Sequence, residues 1–201
     1  RQMCIRDRLD ILPGVIEESH YSKDTQSDYV GALCTRVKSL TNGIYGSVFC
    51  AEDALSDAEL FDCNVVVDLS RVGSMETKSL LMGILVMKLQ EYRMCGSEMN
   101  SRLRHVTVLE EAHNLLRKTS AEQPQEGANL QGKSVEMLAN AIAEMRTYGE
   151  GFIIADQAPG LLDMSVIRNT NTKIILRLPD EEDRKLVGKS AALKEAQIDE
   201  L

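Results

Sequence analysis

The 201-residue chain is 43% apolar and carries a formal net charge of −8. Those values fit one domain with a real core, or part of a larger one, and argue against a generic basic coat for nucleic acid. Its five cysteines form no C-x-x-C pair and no apolar run approaches the length of a membrane span, which leaves reduced thiols and a cytoplasmic location as the plain expectation. Aromatic residues make up 4% and Trp is absent, so the core must be aliphatic and rich in Met, as suits helices packed on a sheet.

In chain order, Arg1–Arg8 fits no periodic pattern and is read as a non-native leader outside the fold. Asp10–Asp28 is polar with a turn-like Pro13-Gly14, and residues 9–28 read as an irregular, truncated edge. From Tyr29 to the end the chain reads as the C-terminal part of one ATPase-like domain. Tyr29–Leu40 is predicted as a helix stopped by Thr41-Asn42-Gly43, and Ile44–Cys50 as a short strand. Asn64–Leu69, NVVVDL, is a near-continuous apolar run, the signature of a strand buried on both faces. Ser70–Ser74 is a loop in which Ser74 can cap the long helix predicted at Glu76–Arg93. After a turn at Cys95–Ser101 comes Arg104–Leu116, RHVTVLEEAHNLL, whose strand-like Val106–Leu109 runs into Glu110 and Glu111. Arg117–Gln131 reads as a surface loop and Ser134–Thr147 as a helix closed by Gly149 and Gly151. Gly151–Asp156 is another buried strand that ends at Gln157. A short helix at Asp163–Ile167, a last strand at Thr172–Leu178 and an amphipathic helix at Glu181–Val187 complete the order. Strands alternating with helices imply an α/β fold with a mostly parallel sheet flanked by helices on both faces.

Ligands in open α/β sheets bind at the carboxyl edge of the strands, and two buried strands here end in polar groups at that edge. At the first, one carboxylate can orient Mg2+ through its water shell while its neighbour takes a proton from an attacking water. The same two acids can equally open a loop or a helix, where they favour the N-terminal dipole. Gln157 at the second tip can contact a γ-phosphate or that water, or be a polar turn before Pro159. Arg146 and Arg168 are each either a cation reaching a neighbouring subunit's phosphate or a solvated side chain. His113 reads as an ordinary helix-face histidine. Gly127–Ser134, GANLQGKS, fits G-x-x-x-x-G-K-S letter for letter, but KTSAEQPQE before it cannot be the buried strand a phosphate loop must follow.

With these pieces placed, NVVVDLSRVGS (64–74), VTVLEEAHNLL (106–116), EMRTYGEGFIIADQAPGLLD (144–163) and RNTNTKIILRLPD (168–180) together resemble the HerA/FtsK-type hexameric P-loop ATPases, nearest to bacterial HerA-like DNA translocases. The resemblance implies a RecA-like P-loop core, ATP and Mg2+ as cofactors, a homo-oligomeric ring, double-stranded DNA as partner and, in such systems, a partner nuclease. It implies that Glu110 is the Walker B acid holding Mg2+ through water, Glu111 the catalytic base, Gln157 the sensor and Arg146 the trans-acting finger, with Arg168 as the second candidate. No credible Walker A loop is present, so the expected core is incomplete at its N-terminus and the isolated chain is expected to bind nucleotide poorly. Two rivals stand beside this reading: a related ring ATPase of conjugation or secretion, and a ring-forming scaffold that does not hydrolyse, which has no need of a base such as Glu111.

Overall fold

The computed structural model describes residues 5–19, 21–51, 55–96, 98–118 and 126–201. They divide into two compact units, Arg1–Ser56 and Asp57–Leu201, so Tyr29–Ser56, grouped above with the ATPase-like part, sits in the first.

The first unit is helical where described. Helix α1 spans Ile5–Glu17 and α2 spans Lys23–Ser39, joined where Gln26 Nε2 donates to the carbonyls of Glu17 and Ser19. The expected irregular edge is thus helix: Leu9, Leu12 and Ile16 fall at helical spacing, and that face outweighs Pro13 inside α1. Residues Gly43–Phe49 form α3 where a strand was expected. A short apolar run does not by itself distinguish the two.

In the second unit α4 (Asp57–Phe61) leads through residues 62–74 into α5 (Met75–Gly96), which Ser74 caps by accepting from the Thr77 N–H. Strand β1 is His105–Glu110; α6 is Glu126–Met145; β2 is Glu150–Ala155; α7 is Met164–Asn169; α8 is Glu181–Ser190; α9 is Glu195–Asp199. Gly149, at φ 81°, closes the turn between α6 and β2, and a Cβ there would collide with the Arg102 carbonyl. Met82, Val86 and Leu89 on α5 meet Ala139 and Met145 on α6, Leu109 on β1 and Val166 and Ile167 on α7 in one aliphatic core.

The unit is mixed α/β, with β1 and β2 pairing in parallel from His105↔Glu150 to Glu110↔Ala155. The sheet is smaller than expected. Neither Asn64–Leu69 nor Thr172–Leu178 joins a ladder, and Val66 and Ile174 are 93% and 88% exposed. Apolar, β-branched composition fits a residue to a sheet but does not supply a neighbour to pair with. Among the described residues, helices do not cover both faces of the sheet either. His105, Thr107 and Leu109 turn inward, whereas Val106, Val108 and Ile153 on the other face are exposed. Residues 126–131, expected as loop, belong to α6, so the whole GANLQGKS stretch is helical.

The amino end of the sheet is fastened by a buried ionic cluster. Arg93, in the last turn of α5, donates to Glu150 Oε2 (2.8 Å), Asp62 Oδ1 (2.6 Å) and the Phe61 carbonyl (2.5 Å). Thr107 donates to Glu150 Oε1 and His105 Nδ1 lies 2.8 Å from it. Burial works against the Arg93 charge, yet its bonds to Asp62 and Glu150 hold its pKa above the ordinary arginine value. Hydrogen bonds from Tyr92 and then Arg93 hold the Asp62 pKa below 3.8. A lowered carboxylate contributes stability above its ordinary pKa and loses it as pH falls through the folded value. The Asp62 contribution is therefore complete at neutral pH and lost as acidification carries pH through its depressed pKa.

Candidate functional site

Because β1 and β2 are parallel and in register, both polar tips emerge at the same edge of the sheet. Glu110 is the last residue of β1 and is exposed. Glu111 follows in the left-handed region at φ 50°, ψ 46°, which costs a residue with a Cβ about 1–2 kcal/mol. The turn after it sustains that conformation. Residues Ala112–Asn114 form one tight 3-10 turn, in which Ala112 and nearby Leu116 are fully buried and the Asn114 N–H donates to the Glu111 carbonyl at 2.9 Å. The Ser79 hydroxyl of α5 donates to the Asn114 carbonyl and ties the turn to the core helix.

The reversal at Glu111 folds its carboxylate back towards the tip of β2. Gln157 Nε2 donates to Glu111 Oε1 at 3.1 Å. Asp156, the residue between β2 and Gln157, has a side chain only 3% exposed. Its carboxylate accepts the His113 N–H at 2.8 Å and the Ala158 N–H at 2.8 Å, and lies 2.9 Å from His113 Nδ1. The same Nδ1 stands 3.5 Å from Glu111 Oε2. Desolvation of Asp156 is thus offset by donors on the chain, whereas Glu111, about half exposed, keeps access to water and ligand.

A cleft of about 1470 Å³ runs from these tips along the free edge of β2 to α6, α7 and residues 171–179, and all five expected site residues, Glu110, Glu111, Arg146, Gln157 and Arg168, line it. They do not form one cluster. Glu110, Glu111 and Gln157 meet at the carboxyl edge, where Glu111 and Gln157 touch. Arg146 precedes β2 and so sits at the opposite end of the strand, about 17 Å away at 3.3 Å per residue. Arg168 lies in the last turn of α7. Both arginines are exposed, and neither has an ion pair among the described residues.

Two participants were not legible in the sequence. His113, in the 3-10 turn after β1, is the link between the tips, and Asp156 is its anchor. The available signal was the pair of an acid-acid-x-His run and an Asp at the end of the next strand. Among the described residues no group of three or more His, Cys, Asp or Glu is arranged to hold a metal directly. GANLQGKS lies within α6 and does not form the loop that cradles phosphate ahead of a helix. Compared with models of protein families, curated proteins and solved structures, the chain matches none.

Left-handed strain at a site gives a sharp expectation. Glu111→Gly should raise the stability of the second unit by about 1 kcal/mol, or about 2–4 °C in Tm. Thermal unfolding measures it, and an unchanged or lower Tm means the turn stores no strain.

Proposed function

We propose that the chain supplies the hydrolysis half of an ATP-driven motor, α/β and RecA-like, that moves along or unwinds double-stranded DNA as a homo-oligomeric ring. The observation that carries the reading is the contact of Glu111 with Gln157 at neighbouring strand tips, with Glu110 beside them. In this reading Glu111 takes the proton of the attacking water. Gln157 orients that water and reports the γ-phosphate. Glu110 is an exposed carboxylate at the strand end, in no cluster of metal-ligating side chains among the described residues, which fits an acid that meets Mg2+ through water rather than in a closed protein cage. Mg2+, when bound with ATP, neutralises charge on the β- and γ-phosphate oxygens.

Arg146, at the far end of β2 and exposed, suits a cation offered to the site of the next subunit of a ring, expected to be hexameric; Arg168 is the second candidate. The phosphate-binding loop comes from a segment other than GANLQGKS. Duplex DNA and a partner nuclease complete the proposed assembly, in the cytoplasm. Among the described residues no helix is long and apolar enough to cross a membrane.

The test is Mg2+-dependent ATP hydrolysis by the polypeptide that joins this chain to its phosphate-binding loop. Lys133→Ala in that polypeptide is expected to leave ATP affinity unchanged, as titration with a fluorescent ATP analogue would read. A collapse of affinity would make GANLQGKS a working phosphate loop and overturn the assignment.

A further inference from the structure

We propose that His113 is a positioning residue that couples the two strand tips: Asp156 fixes its imidazole, and the imidazole in turn holds the Glu111 carboxylate beside Gln157. The inference rests on the hydrolysis reading for its consequence but on geometry for its existence. His113 is gripped twice by one carboxylate, through its backbone N–H (2.8 Å) and through Nδ1 (2.9 Å), so main chain and ring are fixed by the same partner. Asp156 is itself held by the Ala158 N–H and almost fully buried, so it is a rigid anchor on β2.

Among the described residues the polar partners of Nδ1 are carboxylate oxygens, Asp156 at 2.9 Å and Glu111 at 3.5 Å. Carboxylates at neutral pH accept and do not donate, so Nδ1 must carry the proton in either the neutral or the charged ring. Its N–H then donates to the Asp156 carboxylate, whose two oxygens lie 2.9 and 3.2 Å from Nδ1, and Glu111 Oε2 stands beside the ring at the ion-pair distance of 3.5 Å. The other Glu111 oxygen is taken by Gln157. The half-exposed carboxylate is thereby restrained from both sides, and the tip of β1 cannot reorient without the tip of β2. A base displaced by about 1 Å loses on the order of a hundredfold in rate, so a restraint of this kind matters to turnover rather than to ligand affinity.

The geometry makes a discriminating demand on substitutions. An Asn side chain can place an N–H donor near the position of Nδ1, whereas Gln reaches towards Nε2 and Ala supplies nothing. His113→Asn should therefore retain kcat within a few fold. His113→Gln and His113→Ala should lower kcat by up to about a hundredfold with KM little changed. A purely structural role would instead follow stability, which unfolding of each variant measures in parallel.

The experiment has two arms. Long-range 15N–1H NMR on the full chain at neutral pH reads the protonation of His113. A proton on Nδ1, lost from its bonded position in Asp156→Asn, is the expected result, and a neutral ring with bare Nδ1 overturns the coupling. Steady-state ATP hydrolysis, in the polypeptide that joins this chain to its phosphate-binding loop, reads the consequence. Rescue by Asn but not Gln supports positioning, and equal kcat in all three variants overturns it. A protonated Nδ1 in a wild type without ATP turnover overturns the hydrolysis reading and the catalytic role built on it, while the link between the tips stands.

Discussion

Arg93→Ala destabilises the second unit by about 3–5 kcal/mol, the usual result of leaving a buried charge without its partner. The Arg93 side chain is 7% exposed and that of Glu150 is fully buried, 2.8 Å from it. Removing the guanidinium leaves the Glu150 carboxylate with only Thr107 and His105, and the Phe61 carbonyl without its donor. In a unit of this size the loss amounts to a fall in Tm of roughly 6–20 °C. A paired Arg93→Met, Glu150→Leu variant should recover most of the loss, because no charge is then stranded. Calorimetry of the three proteins checks this; if the single variant unfolds within about 1 kcal/mol of wild type, the cluster does not fasten the sheet.

Glu111→Gln should lower ATP turnover by about 10²–10⁴-fold, the contribution of a positioned general base, and leave nucleotide binding intact. The amide keeps the shape of the side chain and can keep its contact with Gln157, but it cannot accept the water's proton. Nothing in the core depends on this carboxylate, which is about half exposed. The variant should therefore fold as the wild type does, and its deficit should lie in kcat. Single-turnover hydrolysis at saturating ATP separates the outcomes: unchanged cleavage removes Glu111 from the role of base.

Some of this architecture was legible before the structure and some was not. The strands that end at Glu110 and, one residue before Asp156, at Ala155 could be read because each couples a β-branched apolar run to an abrupt polar end, and both occur, in parallel. Asn64–Leu69 and Thr172–Leu178 carry the same composition yet stand outside the sheet. Composition states what a residue would do in a sheet, not which neighbour offers the hydrogen bonds. Ile44–Cys50 failed differently, since a short apolar stretch has too few residues to declare its period. The role of His113 was hidden by the left-handed Glu111, a conformation that no residue in EEAH announces. Asp156 became an anchor only once β2 was known to lie beside β1. Arg146 showed its distance from the acids only through the direction of the strand it precedes.

The most direct test of the account is the steady-state rate of ATP hydrolysis in Mg2+, with and without linear double-stranded DNA, by the polypeptide that unites this chain with its phosphate-binding loop. Mg2+-dependent turnover that duplex DNA stimulates and that Glu111→Gln lowers by about 10²–10⁴-fold is the expected result. Turnover that is absent, or that persists undiminished in Glu111→Gln, would contradict it.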